Sequence, residues 1–357
     1  MNQDQSPPHV AARRTVFLTG GSGLLGTALL HSAGANNVIA LYHRSPIAHA
    51  GIETLRGDIR KPLLGLSEPD YKALASRIDV IIHSASITRF GVNQAKILDT
   101  NVAGSHEIVR LAREARARLI YLSTAFIHPS ASELAPASMY EESKRKAEAL
   151  VRTLSENFVI IRPSIIVGDS RTGKVAAYQG LHEVVGSIID GSLPVLPTAP
   201  DRFCDFVAQD WVTDAIWSAA SHSSPAQELW ITSGTRALSV EAIVAAAVKV
   251  GYSYGFRGSA PRIVPYETLQ RLFIPAFLES LPDRLKRRFH ANLKMARYMN
   301  QERPFPSSEA YLQTAFGLPM RETPEAVLIR NMEQWCMNRL SAQSADKPAR
   351  LLTIGVS

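Results

Sequence analysis

Residues 19–26 read TGGSGLLG and lie between a β-branched and apolar run, Thr15 to Leu18, and an apolar stretch from Leu24 to His31. The run predicts a buried strand, and the stretch predicts a helix packed on a sheet. Glycine lets the backbone approach a pyrophosphate, while the N–H groups and dipole of a helix N-terminus favour negative charge. A strand that turns through glycines into a helix therefore predicts a dinucleotide-binding site.

The end of the second predicted strand, Val38 to Tyr42, indicates which dinucleotide binds. Chains that bind NAD usually carry an acidic residue here, which accepts a hydrogen bond from the ribose 2′-hydroxyl. This chain has His43-Arg44 instead, and the first acidic residue after the strand is Glu53. Because a cation suits a 2′-phosphate, the sequence favours NADPH over NADH, the alternative being a solvated arginine.

Further strands and helices alternate along the chain. A buried strand from Asp79 ends in the small residues Ser84 to Ser86, and a long helix is predicted from Asn93 to Arg116. Another strand, Leu119 to Thr124, ends in hydroxyl side chains. This alternation predicts a doubly wound parallel sheet of the Rossmann type, whose ligands lie beyond the carboxyl ends of the strands.

The candidate chemistry lies at Tyr140 and Lys144, which are four residues apart and share one face of a helix. A nearby ammonium group stabilises a phenolate, so we expect Lys144 to lower the pKa of Tyr140. Tyr140 can then act as a general acid toward a carbonyl oxygen that receives hydride. Thr124 can donate to the same oxygen, and Lys144 can hold the nicotinamide ribose.

Composition excludes several classes of protein. The two cysteines, Cys204 and Cys336, cannot form a disulfide framework and have no metal-ligand spacing, so no metal is expected. No apolar signal core or stretch of 18 apolar residues occurs, which predicts a cytoplasmic protein without a membrane span. The net charge of +7 fits anionic ligands, but no nucleic-acid-binding motif accompanies it. The oligomeric state stays open.

Seven stretches together resemble one family: TGGSGLLG at 19–26, GDIRKPLLGLS at 57–67, DVIIHSAS at 79–86, NVAGSHEIVRLA at 101–112, YLSTAFI at 121–127, YEESK at 140–144 and RPSIIVGDSRTG at 162–173. On these stretches the chain resembles an extended short-chain dehydrogenase/reductase, and more narrowly its thioester-reductase and fatty acyl-CoA reductase branch. The resemblance covers about residues 15 to 235. The LGLS and RPSIIVGDSRTG stretches indicate the acyl-thioester branch.

The resemblance implies roles for individual positions. Thr124, Tyr140 and Lys144 would be the catalytic set, and Asn101 would steady the central helix and a proton-relay water. The segment between Thr124 and Tyr140 has only fifteen residues, which is short for the family and leaves the acyl-chain specificity open. The positions that would line the dinucleotide are Gly20, Ser22, Gly23, Leu24, Leu25, Gly26, Arg44, Asp58, Ile59, Ser84, Ala85, Ser86, Ser123, Tyr140, Lys144, Pro163 and Ile165.

The predicted organisation has four parts. A flexible leader, 1–14, precedes a Rossmann domain at 15–175, to which later strands return from 200–235. A smaller, mostly helical substrate-binding lobe covers 176–340, and a flexible tail covers 341–357. Within the lobe, a basic segment at 284–303 is interpreted either as a solvated helix face or as a dock for coenzyme A phosphates or an acidic acyl carrier protein.

The sequence thus predicts an NADPH-dependent reductase that converts an acyl thioester, bound to coenzyme A or a carrier protein, to an aldehyde or further to an alcohol. We expect no carrier or adenylation segment before the reductase. Two alternatives stay within the superfamily: a ketone or sterol-type alcohol dehydrogenase, and a nucleotide-sugar epimerase or dehydratase. A third is a non-catalytic dinucleotide-binding regulator, which would have no need of Thr124, Tyr140 and Lys144 together.

Overall fold

The computed structural model describes residues 14–34, 36–88, 92–129, 138–222, 226–265, 268–269, 271, 286 and 295–345. The chain divides into two compact units. Unit 1 consists of Met1–Ile166, Asp205–Ala237 and Gln301–Arg321, and unit 2 of Val167–Cys204, Leu238–Asn300 and Glu322–Ser357. Most of the predicted leader, and the predicted tail beyond Ala345, lie outside the described residues.

The described strands and helices follow one another along the chain. The strands are β1 (Thr15–Thr19), β2 (Asn37–Tyr42), β3 (Glu53–Arg56), β4 (Val80–His83), β5 (Arg118–Leu122), β6 (Phe158–Pro163), β7 (Ile165–Val167), β8 (Val195–Pro197), β9 (Phe203–Cys204), β10 (Phe206–Ala208), β11 (Glu228–Ile231), β12 (Leu238–Ser239) and β13 (Arg262–Val264). The helices are α1 (Leu24–His31), α2 (Glu68–Ala75), α3 (Gln94–Leu98), α4 (Gly104–Ala115), α5 (Met139–Leu154), α6 (Leu181–Ile189), α7 (Gln209–Ser221), α8 (Val240–Ser253), α9 (Glu309–Phe316) and α10 (Pro324–Ala345).

Unit 1 is built on a seven-stranded sheet with the order β11-β6-β5-β4-β1-β2-β3. Every neighbouring pair in this sheet is parallel. The chain reverses its direction of winding between β1 and β4, where Thr19 is in register with His83. Ligands of such sheets bind beside this reversal, at the carboxyl ends of the strands. The predicted doubly wound Rossmann fold is confirmed.

Alternate residues of the central strands supply two hydrophobic cores, one on each face of the sheet. Leu18 and Ile82 belong to the core that α1 and α7 cover. Phe17 and Ile81 belong to the core that α2, α4 and α5 cover. All four side chains are fully buried. Because both faces are covered, the strand ends are the part of this sheet that is available to a ligand.

Unit 2 is mostly helical, as predicted. Helices α6, α8 and α10 pack together, beside the parallel pair β8–β13 and the antiparallel pair β9–β12. Gly186 of α6 allows close packing, since a Cβ atom there would lie 2.6 Å from the indole of Trp335 in α10. No described helix is long and apolar enough to cross a membrane. A substrate-binding role for residues 176–340 stays a prediction.

Two predicted boundaries need correction. The helix predicted from Asn93 to Arg116 is divided, because a π-helical turn, Asp99–Ala103, separates α3 from α4. Residues 341–345, predicted to belong to a flexible tail, are part of α10, which continues to Ala345. Polar composition suggested a loose tail, whereas continuous backbone hydrogen bonding extends the helix. The π turn matters for the site, because it carries Asn101.

Candidate active site

A cleft of about 360 Å³ opens at the carboxyl ends of β1, β2 and β4 in unit 1. It brings together nine of the predicted dinucleotide-binding residues: Gly20, Ser22, Gly23, Arg44, Asp58, Ile59, Ser84, Ala85 and Ser86. Eight predicted residues are not part of its lining: Leu24, Leu25, Gly26, Ser123, Tyr140, Lys144, Pro163 and Ile165. The cleft therefore corresponds to the adenosine and phosphate end of the predicted site.

The glycine-rich turn approaches the loop after β4 very closely. Gly20 has a positive φ of 77°, and a Cβ atom there would lie 2.7 Å from the backbone nitrogen of Ala85. Gly23 donates its N–H to the carbonyl oxygen of Gly20 at 2.9 Å, which closes the turn. A Cβ atom on Gly26 would lie 2.0 Å from the same oxygen. Gly26 therefore allows α1 to pack on the turn. Leu25, which does not line the cleft either, packs against the core.

We expect Gly26→Ala to destabilise unit 1 and to weaken dinucleotide binding together. The added methyl group must displace the Gly20 carbonyl, and overpacking of this kind costs about 1–3 kcal/mol or more. The free energy of unfolding in urea and the Kd for NADPH would both be measured. Gly186→Ala serves as the control, because its added methyl group also overpacks a helix, against Trp335 in unit 2, but does not touch the cleft. An unchanged Kd in Gly26→Ala would show that the turn tolerates displacement without loss of the ligand.

Asp58 is held rigidly at the adenosine end of the cleft. Arg60 binds both of its carboxylate oxygens, with Nε 2.9 Å from Oδ1 and Nη2 2.7 Å from Oδ2. His43 Nε2 lies 3.5 Å from Oδ2. The hydrogen bonds from Arg60 lower the pKa of Asp58 to about 2, so the carboxylate is ionised throughout the neutral range.

An unusual turn that begins at Leu63 and enters the LGLS stretch at 64–67 positions Asp58. Leu63 and Leu64 both adopt the left-handed region, with φ of 56° and 58°, which is costly for residues with a Cβ atom. The turn is held by complete burial of Leu64 and by a hydrogen bond from the Leu63 N–H to Glu107 Oε2 at 3.2 Å. The carbonyl oxygen of Leu64 accepts from the N–H of Asp58 at 2.7 Å. The backbone strain at Leu63 and Leu64 therefore lies where it fixes the backbone of Asp58, which lines the cleft.

Sequence reasoning missed several lining residues. Arg60 could have been found from the sequence, because it follows Asp58 by two residues and can therefore pair with its carboxylate. Lys96 and Thr100 were not found because they reach the cleft from α3 and the π turn. The lining residues not singled out from the sequence are Thr19, Leu41, Tyr42, Ser45, Gly57, Arg60, Ile87, Lys96 and Thr100.

The predicted catalytic side chains lie at the start of α5 and after β5. Ser138 and Glu141 form a reciprocal capping box that fixes the first turn of α5, on which Tyr140 stands. A hydrogen bond joins Thr124 to the phenol of Tyr140. The ammonium group of Lys144 donates to the carbonyl oxygen of Leu122 at 2.7 Å and lies 5.1 Å from the ring centroid of Tyr121. Thr124, Tyr140 and Lys144 thus meet at the carboxyl end of β5.

The expected effect of Lys144 on Tyr140 is corrected by the structure. Burial raises the pKa of Tyr140 to about 12, and its hydrogen bond with Thr124 opposes this rise only in part. Burial lowers the pKa of Lys144 to about 7, against the opposing charge of Glu148. The sequence argument considered only the ammonium group, whereas loss of water around both side chains is the larger effect. Tyr140 is consequently a protonated hydroxyl at neutral pH.

Asn101 is placed to hold backbone segments together. Its Oδ1 accepts from the N–H of Ile87 at 2.8 Å, and its Nδ2 donates to the carbonyl oxygen of Ile87 at 3.1 Å. The same Nδ2 donates to Ser143 Oγ at 2.9 Å. Because these bonds occupy the carboxamide, Asn101 is a positioning residue for the cleft and for α5.

Unpaired hydroxyl groups indicate room for a polar ligand. In the part of the chain that the structure describes, the hydroxyls of Ser86 and Ser123 are buried without a hydrogen-bond partner. An unpaired buried hydroxyl is costly, and a bound dinucleotide has acceptors that can satisfy both. Together with the glycine cradle, these residues fit a dinucleotide. Pro163 and Ile165 follow β6, the strand beside β5, and so lie along the same sheet edge.

The basic segment at 284–303 falls largely outside the described residues. Three of its arginines, Arg284, Arg287 and Arg288, are among the residues that the structure does not describe. The segment therefore stays a prediction from the sequence. Among the described residues, no group of three or more His, Cys, Asp or Glu side chains could hold a metal ion.

Comparison with known families identifies the chain. An NAD-binding family model, described as male sterility protein, matches residues 38–216, which is half of the chain. The chain belongs to this family. The match begins at β2 and ends in α7, so it includes the ends of β4 and β5 and the Tyr140–Lys144 pair. The predicted resemblance is confirmed.

Curated relatives are larger proteins. D-lysergyl-peptide-synthetase subunit 3 of Claviceps purpurea is 26% identical over 224 residues, which cover 51% of this chain and 12% of that protein. A carboxylic acid reductase of Segniliparus rugosus is 29% identical over 119 residues, which cover 33% of this chain and 10% of that protein. The chain thus spans a small fraction of the length of these relatives.

A solved structure confirms the fold over nearly the whole chain. The terminal R domain from the myxalamid PKS-NRPS biosynthetic pathway superposes with a TM-score of 0.72 at 24% sequence identity. The superposition covers 96% of this chain and 94% of that domain. At this identity the likeness establishes the family's architecture, and the chemistry must be argued from the site.

Proposed function

We propose that this chain is an NADPH-dependent reductase that converts an acyl thioester, bound to coenzyme A or to an acyl carrier protein, to the aldehyde. The observation that carries the proposal is the meeting of Thr124, Tyr140 and Lys144 at the end of β5. The family supports the dinucleotide, and relatives that include a carboxylic acid reductase support the substrate class. A cytoplasmic location, predicted from the sequence, forms part of the proposal.

The proposed residues would hold the dinucleotide along the sheet edge. The glycine-rich turn would receive the pyrophosphate, and Arg44 the 2′-phosphate. Asp58 and Ile59 would contact the adenine, beside the loop from Ser84 to Ser86. At the other end, Tyr140 and Lys144 would hold the nicotinamide ribose, with Ser123, Pro163 and Ile165 beside the ring.

The reaction requires one hydride and one proton for each thioester. NADPH, held by the residues named above, would supply the hydride that the carbonyl carbon receives. Tyr140 donates its proton to the carbonyl oxygen, and Thr124 hydrogen-bonds that oxygen as negative charge develops. The hemithioacetal then returns its hydroxyl proton to Tyr140 while the C–S bond breaks. The departing sulfur takes up a proton, so the products are an aldehyde, a thiol and NADP⁺.

The test is to incubate the purified chain with NADPH and acyl-CoAs, acyl-loaded carrier proteins, ketones or nucleotide sugars. NADPH oxidation, free thiol and trapped aldehyde or alcohol would be followed together. We expect thiol release in proportion to aldehyde formation. Turnover of ketones or nucleotide sugars without any turnover of thioesters would contradict the proposed substrate class. A second equivalent of NADPH consumed would show reduction to the alcohol.

Arg44→Ala should separate the two dinucleotides. Arg44 is exposed and lines the cleft at the end of β2. A charged hydrogen bond to a phosphate contributes about 1.5–3 kcal/mol, so the Kd for NADPH should rise by about 10-fold or more, while the Kd for NADH stays nearly unchanged. Arg56→Ala is the matched control, because Arg56 is exposed at the end of the adjacent β3 but does not line the cleft. Wild-type preference for NADH would contradict the assignment.

A further inference from the structure

A histidine lies buried beneath the cleft, between β1 and α4. His83 is the last residue of β4 and is 1% exposed. Its Nδ1 lies 2.7 Å from Thr19 Oγ1 at the end of β1, and its Nε2 lies 3.2 Å from Ser105 Oγ in α4. His83 itself is not among the residues that line the cleft. Both of its ring nitrogens are therefore used inside the protein.

The neighbours of His83 determine which nitrogen carries the hydrogen. Ser105 Oγ donates its single hydrogen to the carbonyl oxygen of Asn101 at 2.6 Å, so it can only accept from His83. Nε2 must then be the protonated nitrogen, and Nδ1 accepts from the Thr19 hydroxyl. The oxygen of Thr19 accepts in turn from the N–H of Ala85 at 3.3 Å. Burial and the Lys144 charge lower the pKa of His83 to about 3, which agrees with a neutral ring.

The same series of hydrogen bonds reaches the catalytic helix through Asn101. Asn101 Nδ2 donates to Ser143 Oγ at 2.9 Å, and Ser143 Oγ donates to the carbonyl oxygen of Tyr140 at 2.7 Å. At the opposite end, Ala85 lines the cleft. The donors and acceptors connect the loop after β4 to the backbone of the proposed general acid.

We propose that His83 is a positioning residue: as a neutral imidazole protonated on Nε2, it fixes the π turn and α4 against the end of β1, and so sets Tyr140 relative to the dinucleotide cleft. The effect on turnover rests on the proposed function. The tautomer and the effect on dinucleotide binding do not depend on which acyl substrate the protein reduces.

The first test breaks the series at Ser105, because removing His83 itself could prevent folding. Ser105→Ala is compared with Ser187→Ala in α6. Both serines are buried, and each donates to the carbonyl oxygen four residues earlier, at 2.6 Å in both cases. Ser105 alone also accepts from His83. We expect a larger loss of Tm in Ser105→Ala, because that variant also leaves the buried Nε2–H of His83 without its acceptor. Only Ser105→Ala should raise the Kd for NADPH several-fold and lower kcat by about 10-fold, with KM for the acyl substrate unchanged.

The second test observes the imidazole directly. In protein labelled with ¹⁵N-histidine, the ring whose NMR signals disappear in His83→Gln should be protonated on Nε2 alone and should not titrate between pH 5 and 9. Protonation of His83 on Nδ1, or titration near neutral pH, would overturn the proposal. Equal Kd and kcat values in Ser105→Ala and Ser187→Ala would overturn it as well. If the protein binds NADPH but reduces no thioester, the NMR and binding results still decide the role of His83.

Discussion

Tyr140→Phe is expected to reduce turnover by about two to four orders of magnitude, the usual contribution of a positioned general acid. The phenol hydroxyl is the group that hydrogen-bonds Thr124, and its pKa near 12 keeps it protonated at neutral pH. Phenylalanine preserves the ring and removes the hydroxyl group, and with it both the proton and the hydrogen bond to Thr124. The Kd for NADPH should stay within a few-fold of the wild-type value, because the cleft at the adenosine end is untouched. Single-turnover kinetics and dinucleotide titration measure the two quantities separately.

Tyr178→Phe is the matched control for this variant. Tyr178 also has a hydrogen-bonded hydroxyl, which accepts from Asn338 at 2.8 Å in unit 2. Its loss removes one hydrogen bond without touching the proposed catalytic set, so kcat should be unaffected. Near-wild-type turnover in Tyr140→Phe would exclude the tyrosine as proton donor. Equal losses in both tyrosine variants would mean that general destabilisation, rather than proton transfer, lowers the rate.

Lys144→Met is expected to abolish most turnover while making the folded protein more stable at pH 6. The unfolded chain holds the Lys144 proton with the ordinary pKa of 10.5, whereas the folded protein holds it with a pKa of about 7. Below pH 7 the buried charge therefore costs the folded state up to about 5 kcal/mol, at about 1.4 kcal/mol per pKa unit. Methionine fills similar space without that charge, so the free energy of unfolding should rise.

The difference in unfolding free energy between the wild-type protein and Lys144→Met should depend on pH. Between pH 7 and 10.5 the unfolded chain binds the Lys144 proton more tightly than the folded protein does. The wild-type protein should therefore gain stability relative to Lys144→Met as the pH rises through this range, and the advantage of the variant should fade. Urea unfolding at pH 6, 8 and 10 measures this trend. Lys146→Met is the control, because Lys146 is exposed on the same helix and its ammonium group lies 2.8 Å from the carboxylate of Glu142. A variant less stable than wild type at pH 6 would contradict the assignment.

A more stable Lys144→Met variant would show that the site is kept at a cost to the stability of the fold. A buried lysine is unfavourable for folding, and here it is held by the Leu122 carbonyl, by the ring of Tyr121 and by the charge of Glu148. Active sites commonly retain groups that the fold alone would not favour. A gain of stability together with a loss of turnover in Lys144→Met would therefore be a functional signature. The stability part of it can be measured before the substrate is known.

Much of the fold could be predicted from the sequence because its determinants are local. Strand and helix periodicity can be recognised within about ten residues. The glycines at 19–26 are required by a tight turn, in which the N–H of Gly23 donates to the carbonyl oxygen of Gly20. The same is true of Tyr140 and Lys144, whose spacing places them on one helix face before any tertiary contact is known. The family resemblance then added roles to positions that spacing alone could not distinguish.

The tertiary structure decided what depends on burial and on residues far apart in sequence. Thr19 and His83, 64 positions apart, meet because β1 and β4 pair across the reversal of the sheet. Asn101 reaches Ser143 across 42 positions because the π turn packs against α5. The pKa of Tyr140 is raised, against the sequence expectation, and the pKa of Lys144 is lowered, because removing water from a charged form outweighs a nearby charge. Periodicity and spacing specify the elements and their order, but only packing determines which polar groups lose water and which partner replaces it.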